Sequence, residues 1–185
     1  MAATPSKMIP LGTKAPDFAL PDVVSGKTIT LESLRSPVGT VVMFICNHCP
    51  FVKHVQQQLV MLAAEYMRRG VSFVAISSND AEAYPADAPE RMKEVAETSG
   101  FEFPYVYDES QQVARNYDAT CTPDFFVFDK DLRCVYRGQL DDSRPGNGVP
   151  VSGRDLRDAL DNMVQYKPVN PMQQPSIGCN IKWKQ

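Results

Sequence analysis

Residues 40–50 read Thr40-Val41-Val42-Met43-Phe44-Ile45-Cys46-Asn47-His48-Cys49-Pro50, an apolar run that ends on two cysteines separated by two residues. The first six residues are apolar or β-branched, the pattern of a strand buried on both faces. Beyond Pro50, Val52, Val55, Leu59, Leu62 and Tyr66 recur at spacings of three and four, so they share one helical face. Gly70 is the expected helix stop. The cysteine pair therefore falls where a core strand hands over to a helix. Val71–Ser77 is a second run of buried-strand type.

Outward from this centre, the same reading predicts alternating elements. Asp17–Leu20 and Thr28–Leu31 form an N-terminal hairpin around Ser25-Gly26-Lys27. Pro89–Ser99 is a helix with proline in its first turn and Gly100 beyond its end. Phe103–Tyr107 is a strand and Gln111–Tyr117 a short helix. Asp124–Asp129 and Cys134–Gly138 are an antiparallel pair across Lys130-Asp131, Asp141–Gly153 is a polar loop, and Arg154–Tyr166 is a last amphipathic helix with Leu156, Leu160 and Met163 on one side. The expected class is α/β, a central mixed sheet flanked by helices. Residues 1–10 read as a loose arm, 11–166 as the domain, and 167–185 as an irregular tail packed on it. One domain suits a chain of 185 residues.

Composition narrows the function. Hydrophobic residues are 43% and charged residues 22%, a balance that supports a core without disulfide staples. A net charge of -3 offers nothing to a polyanion, so no nucleic-acid partner is expected. No apolar run approaches the roughly 20 residues that span a bilayer, and residues 1–10 hold no apolar signal segment. No membrane partner and a cytoplasmic location are the expectation. Five cysteines, an odd number, fit thiols kept for redox or metal work better than a stapled scaffold.

The chemistry centres on Cys46 and Cys49. The thiolate is the reactive form, and a helix N-terminus favours it through unpaired N–H groups and the macrodipole. Cys46 is expected at that N-terminus, as the more acidic and more accessible thiol, with Cys49 one turn inside and able to resolve a mixed disulfide. His48 between them would favour the Cys46 thiolate if protonated. The competing reading is half a zinc site completed by Cys121, Cys179, His48 or His54. The scattered remaining cysteines speak against it, so no metal and no cofactor is expected. His54 is expected on the surface. Cys121-Thr122-Pro123 precedes a buried strand, where proline suits a tight, often cis, turn. Cys121 is then either a resolving thiol near Cys46 or a space-filling side chain. Cys134 divides evenly between a thiol role and a buried apolar one, and Cys179 stays open.

The segments GTKAPDFALPDVVSGKTITLESL, VVMFICNHCPFVKH and ATCTPDFFVFD resemble the thioredoxin superfamily, in its alkyl hydroperoxide reductase and thiol-specific antioxidant branch. The Cys-Asn-His-Cys-Pro and Cys-Thr-Pro-Asp segments and the tail PSIGCNIKWK are similar to its peroxiredoxin-like group. The resemblance implies a thioredoxin-like fold, Cys46 as the attacking or peroxidatic position, and Pro123 as a cis-proline packed against the cysteines. Two departures matter. The proline and threonine that precede the reactive thiol of peroxiredoxins are Gly39 and Met43 here, and no arginine lies between Asn116 and Leu132. The tryptophan and buried acid of thioredoxins correspond to Ile45 and Thr40. The expected function is a thiol-disulfide oxidoreductase acting on a protein disulfide or a small peroxide or thiol substrate, reduced by an external thiol donor such as thioredoxin. A thiol-dependent peroxidase and a non-catalytic redox sensor or binding module stand as alternatives. Three structural expectations follow: a Cys46–Cys49 disulfide on oxidation, a cis Thr122–Pro123 bond beside Cys46, and an open backbone edge at Thr122 where a substrate chain pairs.

Overall fold

The structure is a computed structural model and describes residues 3–185. Its elements run β1 (Ala3–Pro5), β2 (Ala19–Pro21), β3 (Thr28–Thr30), β4 (Gly39–Phe44), α1 (Pro50–Met67), β5 (Val71–Ser77), α2 (Pro89–Ser99), β6 (Tyr105–Tyr107), α3 (Gln112–Asn116), β7 (Cys121–Thr122), β8 (Asp124–Phe128), β9 (Cys134–Gly138), α4 (Arg154–Val164) and β10 (Ile177–Asn180). This is the mixed α/β architecture that the alternating sequence pattern predicts, with the thioredoxin-like fold that the resemblance implies.

The central sheet has the order β6-β5-β4-β8-β9. β4 lies in its middle, parallel to β5 and antiparallel to β8. Hydrogen-bonded on both edges and covered on both faces, it is buried at every residue, which is why its sequence shows no alternation. Successive side chains of β4 enter different layers. Val41, Met43 and Ile45 pack with the apolar faces of α1, α2 and α4. Val42 and Phe44 pack with α3 and the β2–β3 hairpin.

Pro50 sets the start of α1. It occupies the first helical turn, where its missing N–H costs nothing, and it pushes the preceding residue out of the α region. Cys49 is accordingly the extended N-cap residue, with φ -68° and ψ 121°. The expectation that Cys46 begins the helix and Cys49 lies a turn inside is corrected: Cys46-Asn47-His48 is a loop leading into it. At the far end α1 stops at Met67, and Gly70 takes a φ of +88° two residues beyond the Arg68 cap.

The termini depart from expectation. The arm contains β1 and the tail contains β10, and they join β7 in a small antiparallel sheet ordered β1-β10-β7. The arm is thus tied down within its described residues, and the tail, irregular outside Ile177–Asn180, packs on the domain as expected. Beyond β10 the tail is tied down by Ile181 N–H donating to the Thr120 carbonyl at 3.0 Å and Asp80 N–H donating to the Lys182 carbonyl at 2.8 Å. Among the described residues no helix is long and apolar enough to cross a membrane.

Candidate functional site

The loop between β4 and α1 brings the two cysteines under the end of β7. Cys46 Sγ lies 3.4 Å from the Thr122 hydroxyl, and Cys49 Sγ lies 3.2 Å from the Thr122 carbonyl oxygen. The Thr122–Pro123 peptide is cis, so the turn expected beside Cys46 is there. Its contact runs through Thr122, however. Cys121, the neighbouring residue of the strand, sits by the buried Asp124, and burial raises its thiol far above the ordinary range. The Thr122 side chain makes the contact with Cys46, while Cys121 lies near enough to Cys49 and Cys179 for their charge to act on its thiol.

Both thiols are closed off: Cys46 is 2% exposed and Cys49 0%. Cys46 is the slightly more exposed of the two, and neither is open to solvent. The two share a hydrogen bond, and its consequence is unequal. Cys46 is raised by that bond to Cys49, then by burial and the Asp87 carboxylate. Cys49 is lowered to about 5, first by the bond from Cys46, with Cys179, Thr122 and the Val52 amide adding to it against the opposing effect of burial. The two thiols therefore titrate as a coupled pair at the positive end of α1, the first proton leaving far more readily than the second. Pro50 places Cys49, and not Cys46, at the helix cap.

Asp87 organises the loop, and nothing in its sequence neighbourhood singled it out. A 3-10 turn, Pro85–Asp87, carries it into the interior, where it is 0% exposed. Its carboxylate accepts from the Asn47 N–H at 2.8 Å, the His48 N–H at 3.2 Å and the Asn79 side-chain amide at 2.8 Å. It also contacts His48 Nδ1 at 2.5 Å. The His48 ring stacks on Tyr84 with centroids 5.4 Å apart. The Tyr105 hydroxyl donates to the Asn47 side chain at 3.1 Å, so the whole Cys46–Cys49 loop is held from one side.

Donor atoms of Cys46, His48 and Asp87 lie within 4.8 Å of one another, close enough to share a metal ion. They are three donors where a structural zinc takes four, and the carboxylate already serves four groups. The donor set fits a hydrogen-bonded loop better than a metal centre. His54 is not the surface residue expected; it is half-buried, with Nε2 2.7 Å from the Ser143 hydroxyl. Cys134 lies in the layer on the other side of the sheet from the dithiol, with its thiol raised to about 11 by burial, so the buried apolar reading holds for it.

Cys179 does belong to the site. In β10 it pairs in register with Thr122, and it shares the buried cluster of Cys46 and Cys49. The backbone edge of Thr122, expected to be open to a substrate strand, is occupied by the chain's own β10. Gly178 makes this fit: a Cβ there would overlap the Thr122 carbonyl oxygen.

Residues 11–137 match the AhpC/TSA family, described as such, over most of the chain. The chain belongs to the AhpC/TSA family. The crystal structure of an uncharacterized conserved protein from Geobacillus kaustophilus is 63% identical, with 100% of this chain and 97% of that one covered and a TM-score of 0.98. That of a hypothetical protein from Sinorhizobium meliloti is 48% identical, with 98% of each chain covered and a TM-score of 0.95. A peroxidoxin from Mycobacterium tuberculosis shares the fold at 20% identity, with 84% of this chain and 96% of that one covered and a TM-score of 0.62. No curated protein matches the chain. Membership in the AhpC/TSA family places the redox chemistry on a thioredoxin-type fold, and within it this member carries a hydrogen-bonded dithiol at the start of α1.

Proposed function

We propose that the protein is a thiol-disulfide oxidoreductase in which Cys46 attacks and Cys49 resolves. The observation that carries this reading is the Cys46–Cys49 pair itself: both sulfurs are brought to Thr122 at the N-terminal cap of α1. In the first step Cys46 gives its proton to Cys49 and attacks a disulfide, forming a mixed disulfide and releasing one thiolate. Cys49 passes that proton to the released thiolate and attacks the Cys46 sulfur. The second thiolate leaves, and a Cys46–Cys49 disulfide remains. An external thiol donor such as thioredoxin returns the pair to the dithiol. The Thr122 hydroxyl faces the Cys46 sulfur and steadies its thiolate, while Asp87 and His48 act as positioning residues for the loop.

The burial of both sulfurs and the occupied Thr122 edge favour a small disulfide over a protein one. They equally favour a small peroxide, so thiol-dependent peroxide reduction is the second reading. Asp87 disfavours the Cys46 thiolate and so slows attack on either substrate. Steady-state turnover of glutathione disulfide and of hydrogen peroxide, each with thioredoxin or dithiothreitol as donor, separates the two. We expect disulfide turnover that is lost in both Cys46→Ala and Cys49→Ala. Peroxide turnover with no disulfide turnover overturns the assignment, and turnover of neither leaves the sensor reading.

A further inference from the structure

Three cysteines meet at the start of α1, and the dithiol cycle uses two of them. Cys46 and Cys49 both meet Thr122, at 3.4 Å and 3.2 Å, and Thr122 pairs in register with Cys179 on the tail strand. The three share one apolar layer with the α1 face. The placement of Cys179 is built by the backbone. β10 runs antiparallel to β7 with Cys179 opposite Thr122 and Asn180 opposite Cys121, and Thr122 is the residue whose hydroxyl and carbonyl face the two active-site sulfurs. Gly178 permits the close approach that sets this register. Outside β10, the Lys182 N–H donates to Asn79 at 2.8 Å, and Asn79 in turn donates to Asp87, so the tail and the cysteine loop hang from one hydrogen-bonded chain. Cys179 is therefore held opposite Thr122, the residue that Cys49 meets, by several independent contacts.

We propose that Cys179 is a third redox-active thiol, which takes over the disulfide from the Cys46–Cys49 pair by attacking the Cys49 sulfur. The proposal rests on the dithiol cycle described above. The Cys179 sulfur forms a bond to the Cys49 sulfur, the Cys46–Cys49 bond breaks, and the proton of Cys179 passes to the departing Cys46 thiolate. One disulfide is consumed and one formed, so no outside oxidant or reductant enters. The product carries a Cys49–Cys179 bond that fastens β10 to the start of α1. It also restores a free Cys46 thiol beside Thr122, ready to meet a second substrate. Burial and the bond to Cys49 raise the Cys179 thiol to about 12, so this transfer is slower than the formation of the first disulfide.

The test is disulfide mapping by mass spectrometry after alkylation, on the full chain oxidised with the thiol oxidant diamide. Wild type is sampled over time, and Cys46→Ser is compared with it. In wild type we expect the 46–49 bridge first and a growing 49–179 bridge later. In Cys46→Ser we expect a 49–179 bridge, leaving Cys121 and Cys134 as the thiols that alkylate. Cys179→Ser should keep the 46–49 bridge and lose the later species. A wild type that forms the 46–49 bridge, with a Cys46→Ser variant that leaves Cys49 and Cys179 free or joins Cys49 to Cys121, overturns the proposal while leaving the dithiol cycle intact. A wild type that never forms the 46–49 bridge overturns the dithiol cycle, and with it the source of the transferred disulfide.

Discussion

The proton held between Cys46 and Cys49 has a measurable signature. With Cys49 lowered to about 5 and Cys46 raised, the reduced pair carries one proton across the neutral range and two below it. The disulfide carries none, so each two-electron reduction near pH 7 takes up one proton. The reduction potential should then fall by about 30 mV per pH unit between pH 6 and 8, and by about 59 mV per unit below pH 5. Redox titration against glutathione buffers at graded pH reads this slope, and about 59 mV per unit at pH 7 would mean that both thiols are protonated there. At this scale the cysteine pair was legible from spacing, and the place of the helix cap was not assigned correctly. Pro50 held the answer, since the residue before a proline is driven out of the helical region and becomes the cap. Asp87 was not legible because its partners lie 8 to 40 residues away, so no local pattern marks it.

At the scale of elements, β10 decides who reaches the site. It covers the Thr122 edge through a fit that admits no side chain at position 178. Gly178→Val should force β10 from β7 while the central sheet stays formed. Alkylation of Cys46 and Cys49 by iodoacetamide should then accelerate, roughly tenfold for each ~1.4 kcal/mol of pairing lost. An unchanged rate, with hydrogen exchange showing β10 still protected, would contradict the covering role. The sequence marked the long elements well: Val71–Ser77, Pro89–Ser99 and Cys134–Gly138 have the bounds that their patterns predict. It did not mark β1, β7 or β10. These strands span two to four residues and exist through pairing with one another across most of the chain length, a relation that periodicity does not encode.

For the whole molecule, the sheet is the platform that brings the ends of β4 and β7 to one place. Phe126 packs edge-on to Phe44 and Tyr117, each at 5.9 Å, in the layer away from the dithiol. Phe126→Ala should cost about 3–5 kcal/mol, read from denaturant unfolding of the reduced protein. Little loss would mean that this layer does not carry the fold. The fold class and the pairing of an apolar strand with a Cys-x-x-Cys were readable because burial leaves a local imprint; the closed state of the site was not, because it depends on both termini folding back. The central claim is that Cys46 attacks and Cys49 resolves, and intact-protein mass after incubation with glutathione disulfide tests it most directly. We expect wild type to form an internal disulfide with no adduct, and Cys49→Ala to retain one glutathione on Cys46. A Cys49→Ala protein that stays unmodified while wild type reacts, or that carries its glutathione on another cysteine, would contradict it.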